Sequence, residues 1–157
     1  MASLYKEYTP RLERFLLRVT RDPEIIQELV NDVMLTVWQQ AGTFRRESAV
    51  STWILGITYR KALDAVRKGK RYHSLLSQWV NIAPKSEWLD GTGEERDLMS
   101  LLEKLSPEQR AVAELAFGFG YSYPEIEEIL DIPINTVKTR IFYARKIMQT
   151  AYTKSWG

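Results

Sequence analysis

The chain has no cysteine and a single histidine among its 157 residues. The first absence excludes disulfides, thiolate metal sites and a thiol nucleophile, and fits a reducing compartment. The second leaves His73 without a paired acid or nucleophile, so it reads as a surface residue. No catalytic residue, metal or cofactor is expected. No apolar run approaches the roughly 20 residues that a membrane span needs, and the N-terminal stretch does not have the build of a signal peptide. A soluble cytoplasmic protein without direct membrane insertion is expected. Segments with strand alternation over a credible length are missing too, which leaves an all-α chain.

What is present is apolar content of 45%, enough for real cores, in a length that allows one domain or two small ones. The net charge of +2 is unevenly spread. Residues 1–70 hold twelve Lys and Arg against eight Asp and Glu. Residues 71–95 are acidic on balance, and 96–157 are neutral with their positive charge gathered at the far end.

The most informative stretch runs from Tyr121 to Thr150. Ser122 suits an N-cap, Pro124 an early helical position, and Glu125 completes a capping box. Ile126, Ile129 and Leu130 give this short helix one apolar face. Asp131-Ile132-Pro133 is expected to end it, because the residue before a proline is pushed out of α geometry. A second helix follows from about Ile134, burying Ile134, Val137, Ile141, Ala144 and Met148 along one side. Its other side carries Asn135, Lys138, Thr139, Phe142, Tyr143 and Lys146, with Thr136 and Arg140 beside them. From Ile134 to the end there are five basic residues and no acidic one. A short acidic helix, a turn and a longer basic helix make a helix-turn-helix with its recognition helix second.

Upstream, residues 2–20 show helical spacing of Leu4, Tyr8, Leu12, Phe15, Leu16 and Val19. Asp22 and Pro23 cap and open a second helix to about Gln40, with Ile26, Leu29, Val30, Val33, Met34, Val37 and Trp38 as its apolar stripe. A polar, basic loop precedes a third helix over roughly Thr52 to Lys68. Residues 72–95 lose the rhythm and read as a linker, with Trp79 and Trp88 available to dock. A helix over Arg96 to Leu105 follows. Ser106-Pro107 then opens one from Glu108 to about Phe117, stopped by Gly118 and Gly120. The expected organisation is two small helical domains, 1–71 and 96–157, joined by the linker.

Three constellations carry chemistry. The basic loop and third helix combine cations, hydroxyls and aromatics: Arg45, Arg46, Ser48, Ser51, Thr52, Trp53, Tyr59, Arg60, Arg67 and Lys68. Such a mix suits single-stranded or melting DNA, because cations hold phosphates and a π-face replaces lost stacking, at about 1–3 kcal/mol per base. On the recognition helix, Lys138, Thr139, Phe142 and Tyr143 suit a major groove, with Ser122 and Tyr123 placed for phosphates. The polar side of the second helix, Glu28, Asn31, Asp32, Leu35 and Gln39, reads by itself as a solvent face.

The motif order L-V-x-D-V-x-L-x-V-W (Leu29–Trp38), F-R-x-E-S (Phe44–Ser48), T-W-I-x-x-I (Thr52–Ile57) and A-L-D-x-x-R-K (Ala62–Lys68) resembles region 2 of the extracytoplasmic-function (ECF) sigma factors of bacterial RNA polymerase. L-S-P-E-Q-R (Leu105–Arg110), G-Y-S-Y-x-E-I (Gly120–Ile126) and I-P-I-N-T-V-K-T-R-I-F-Y-A-R (Ile132–Arg145) resemble region 4 of that family. Val50 stands where the family usually has an aromatic, and Arg60 where it often has asparagine. The family also usually has more helix before Leu4. The resemblance implies promoter recognition for core RNA polymerase. The loop and third helix, Asp64 included, would capture and help melt the −10 element, and the recognition helix would read the −35 element. It further implies that Glu28, Asn31, Asp32, Leu35 and Gln39 bind the β′ clamp helices, that the C-terminal module sits on the β flap, and that an anti-sigma factor, often membrane-anchored, controls the chain. The residues alone leave a stand-alone helix-turn-helix regulator and a protein-binding adaptor open.

Overall fold

Pro23 explains why the first two helices part where they do. Its missing N–H cannot serve the carbonyl of Val19 four residues earlier, so the first helix must end. In the computed structural model, which describes residues 2–46, 49–77 and 100–156, α1 spans Ala2–Thr20 and Arg21 turns the chain with φ 57°. The Asp22 carboxylate accepts from the Glu24 N–H and starts a short 3-10 turn over Pro23–Ile25 that feeds α2 (Ile26–Gln40). α3 occupies Val50–Ser77, starting earlier and running further than the expected Thr52–Lys68. Residues 72–77 therefore continue a helix. The rest of the expected linker, with Trp79 and Trp88, lies outside the described residues, as does the side chain of His73.

Helical residues 100–103 lead to α4 (Pro107–Ala113), whose capping box pairs Ser106 with Gln109. The helix then widens by a residue over Glu114–Gly118, where the Phe119 N–H reaches back five positions to the Glu114 carbonyl. α5 (Tyr123–Leu130) and α6 (Ile134–Trp156) form the helix-turn-helix. Ser122 and Glu125 make the expected capping box. The stop at the end of α5 is made differently from the expectation. Asp131 takes the left-handed conformation, φ 54°, and its N–H returns to the Glu127 carbonyl, so the helix has ended before the pre-proline restriction on Ile132 applies.

The core of the N-terminal module comprises Leu12, Phe15, Leu16 and Val19 of α1, Val30, Val33 and Val37 of α2, and Ile54 and Ile57 of α3. It does not stop at the module's edge. Val112, Leu115, Ile126, Val137 and Ile141 of the C-terminal half belong to the same apolar cluster. The expected two modules are thus packed on one another, with α4 against α1 and α5 against α3.

Arg110 joins them. Its guanidinium, 7% exposed, donates to the Val19 carbonyl from Nη2 at 2.7 Å and from Nε at 3.3 Å. From Nη1 it also donates to the carbonyls of Leu105 (2.6 Å) and Leu102 (3.3 Å). Burial, reinforced by nearby Arg21, lowers its pKa to about 10, so it stays charged at neutral pH. The carbonyl left idle by Pro23 is served by a cation from 91 positions away in sequence.

Candidate nucleic-acid interface

α6 presents the face expected to meet DNA. Val137, Ile141 and Ala144 are buried, and this sets the rotation of the helix. Asn135, Lys138, Thr139 and Lys146 are then exposed, with Phe142 at 61% and Tyr143 at 49%. The two rings meet edge to face at 5.4 Å. Together they leave an exposed aromatic pair on a helix without acidic residues. Thr136 and Arg140 are half-buried. At the start of α5, Tyr123 packs against the shared core. The Ser122 hydroxyl accepts from the Glu125 N–H (3.3 Å) and donates to its carboxylate (2.8 Å). The Ser122 N–H, donating to the Glu125 carboxylate at 3.0 Å, and then the Ser122 hydroxyl hold that carboxyl below its usual pKa, which places a negative charge beside the hydroxyl.

The second candidate group divides. Arg45, Arg46, Arg60, Asp64, Arg67 and Lys68 are exposed, with Asp64 and Arg67 loosely paired at 3.8 Å. Ser48 lies outside the described residues, and Ser51 is half-buried. Trp53 stacks on Phe44 with centroids 4.7 Å apart, which ties the basic loop to α3. Thr52 and Tyr59, by contrast, are buried at 6% and 5%. Burial raises the pKa of the Tyr59 phenol, and the adjacent Arg140 guanidinium of α6 pulls it partly back. One nitrogen of Arg140 is itself buried without a hydrogen-bond partner.

On α2, Glu28, Asn31, Asp32, Leu35 and Gln39 all lie on the surface, Leu35 at 50%. Trp38, expected in the apolar stripe, is instead 62% exposed. Burial of Val30, Val33, Met34 and Val37 rotates it outward, where it joins Leu35. The sequence signal for this was faint: seven apolar residues make a stripe wider than one packed face needs. Phe117, also 50% exposed, lies under the Arg145 guanidinium at 5.2 Å and was not singled out by its sequence context. Among the described residues no group of three or more His, Cys, Asp or Glu could hold a metal ion, and no helix is long and apolar enough to cross a membrane.

The family model for sigma-70 region 2 matches residues 4–72, and that for sigma-70 region 4 matches residues 95–148. Among curated relatives, the ECF RNA polymerase sigma factor RpoE of Cereibacter sphaeroides is 30% identical over 146 residues, covering 89% of this chain and 79% of the relative. The ECF RNA polymerase sigma factor SigK of Mycobacterium sp. (strain KMS) is 27% identical over 147 residues, covering 89% and 76%. Among solved structures, the sigma factor RpoE of Bartonella quintana, crystallised with the anti-sigma factor NepR, has a TM-score of 0.78 at 23% identity, over 98% of each chain. CnrH, determined with the cytosolic domain of CnrY, has a TM-score of 0.73 at 19% identity, over 98% of this chain and 87% of that one. Regions 2 and 4 in order, the fold and the curated likeness agree: the chain belongs to the ECF branch of the sigma-70 family of RNA polymerase sigma factors.

Proposed function

We propose that the chain directs core RNA polymerase to promoters by reading −35 duplex with α6 and holding the melted −10 strand with the basic loop and α3. It acts in the cytoplasm, where the polymerase is, and does no chemistry itself. Residues 1–71 serve as the −10 and clamp-binding module and 96–157 as the −35 module, joined through 72–95. Lys138, Thr139, Phe142 and Tyr143 carry the −35 contacts, with Asn135, Thr136, Arg140 and Lys146 around them and Ser122 and Tyr123 toward the backbone. Arg45, Arg46, Ser48, Ser51, Thr52 and Trp53, then Tyr59, Arg60, Asp64, Arg67 and Lys68, carry the −10 contacts. Glu28, Asn31, Asp32, Leu35 and Gln39 bind the β′ clamp helices, and the C-terminal module meets the β flap. Two solved structures of this fold were determined with a bound partner, the anti-sigma factor NepR in one and the cytosolic domain of CnrY in the other, which supports an anti-sigma partner here.

The observation that carries this reading against a stand-alone regulator is the α2 face. Leu35 and Trp38 are 50% and 62% exposed amid acids and amides, on a helix remote in sequence from the helix-turn-helix. A regulator that needs only DNA has no use for such a face, whereas a polymerase subunit needs a protein anchor. The test is transcription of a genomic library by purified core polymerase with and without the chain. The reading expects a discrete set of starts that depend on it. Identical transcripts in both reactions would refute it.

A further inference from the structure

The face of α2 assigned above to the polymerase does not end on α2. Asn31, Leu35 and Trp38 follow at four- and three-residue spacing and so share one exposed stripe, with Gln27 one turn before Asn31. Tyr5 of α1, 36% exposed, stands beside the N-terminal end of that stripe. Its hydroxyl donates to the Asn31 Oδ1 at 3.3 Å and accepts from the Gln27 Nε2 at 3.2 Å. The same Gln27 nitrogen donates to the Asn31 Oδ1 at 3.4 Å. The three side chains close a small ring of hydrogen bonds between the two helices.

A side-chain amide has one acceptor end and one donor end. Two donors converge on the Asn31 oxygen, so this amide cannot turn over alone without setting its NH2 against that of Gln27. Its nitrogen, with two N–H donors, is therefore the end left for a partner, and among the described residues nothing accepts from it. Glu28 and Asp32 are both exposed within three residues of Asn31. A carboxylate brought to the Asn31 nitrogen would meet two like charges, so the acceptor that fits is neutral, an amide or main-chain carbonyl oxygen. The apolar end of the stripe lies seven residues on at Trp38, about 10 Å along the helix axis.

We propose that Tyr5 and Gln27 are positioning residues for polymerase binding. They fix the Asn31 amide with its N–H donors outward, to meet a neutral oxygen on core polymerase about 10 Å from the site that takes Trp38. The proposal rests on the functional reading above for the occupant of this face. Tyr5 acts here through Asn31 and not by touching the polymerase. An amide free to rotate presents either end, and the partner must then freeze one of them at its own cost. Losing the fixed orientation gives up much of one interfacial hydrogen bond, about threefold to tenfold in Kd.

The test is competition for purified core polymerase between the labelled full chain and unlabelled variants. Tyr5→Phe keeps the ring and removes the hydroxyl. It is expected to weaken binding about threefold to tenfold while leaving Tm within about 2 °C of wild type. In an Asn31→Ala background the same change is expected to cost nothing further, because the amide it orients is gone. Gln27→Glu removes a donor and supplies an acceptor, so the Asn31 nitrogen turns inward to it and the oxygen faces out. Binding is expected to fall about as far as in Asn31→Ala, although the face has become more acidic. A face recognised through its negative charge alone would bind tighter instead. The proposal is overturned if Tyr5→Phe competes as well as wild type, or if Gln27→Glu binds as wild type or tighter. It is also overturned if the loss in Tyr5→Phe is undiminished in the Asn31→Ala background, since the hydroxyl then acts by some route other than the amide. Each of those results, with wild type bound, leaves the sigma reading standing. A wild-type chain that does not bind core polymerase at all overturns that reading, and this proposal with it.

Discussion

Arg110→Ala is the perturbation whose cost the structure fixes best. The Val19 carbonyl has Pro23 in the position from which a helical N–H would come, so Arg110 is its donor. The Leu105 carbonyl faces Gln109, whose N–H is already given to the Ser106 hydroxyl. The Leu102 carbonyl keeps the Leu105 N–H at 3.2 Å. Truncation therefore orphans two buried carbonyls rather than three. At about 1–3 kcal/mol for each unsatisfied buried acceptor, partly offset because a costly buried charge disappears, the net loss is about 3 kcal/mol. For a chain of this size that lowers Tm by about 6–12 °C. Arg110→Lys keeps the charge but cannot span carbonyls on both sides of the contact with one compact ammonium, and should lose about half as much. The assay is urea unfolding followed by the fluorescence of the five tryptophans. Stability within about 0.5 kcal/mol of wild type for Arg110→Ala would refute the reasoning, because that is the range of an ordinary surface substitution.

Three further outcomes follow from other parts of the structure. Asp131→Gly removes a left-handed non-glycine residue and a carboxylate at the negative end of α5, and should raise stability by about 0.5–1 kcal/mol in the same unfolding assay. The Glu125 carboxyl is held below its reference value of 4.5, chiefly by the Ser122 N–H and then by its hydroxyl. Its contribution to stability is therefore complete above that reference value and lost as pH falls through the lowered one; NMR titration of Ser122→Ala should show the Glu125 pKa moving back up. Trp38→Ala should leave Tm within about 2 °C of wild type, since the ring is 62% exposed, while weakening binding to core polymerase at least tenfold in a competition assay.

Much of the fold was legible because it rests on local chemistry. The capping pairs Ser106–Gln109 and Ser122–Glu125, the break at Asp22-Pro23 and the buried faces of α1 and α6 are all set by residues within a few positions of each other. What was not legible depends on partners distant in sequence. Trp38 is exposed because a narrower stripe fills the packed face, and a helical period does not say how wide that face is. Asp131 ends α5 through a backbone conformation open to Asp as well as Gly, which spacing does not reveal. The burial of Thr52 and Tyr59 follows from the approach of α5 to Gly56, and nothing around Gly56 in the sequence points to a contact with Ile129. The exposure of Lys138, Thr139, Phe142 and Tyr143 was legible in the sequence because the buried side of α6 identifies its opposite.

The central claim is that promoter recognition belongs to the chain and polymerase together. It is tested most directly by permanganate footprinting of unpaired thymines on one promoter found by the transcription screen, with the chain alone, core polymerase alone, and both. Reactive thymines in the −10 element only when both are present, and their loss with Trp38→Ala or Phe142→Ala at limiting concentration, is the expected result. Opening by polymerase alone, or tight specific protection by the chain alone, would contradict it.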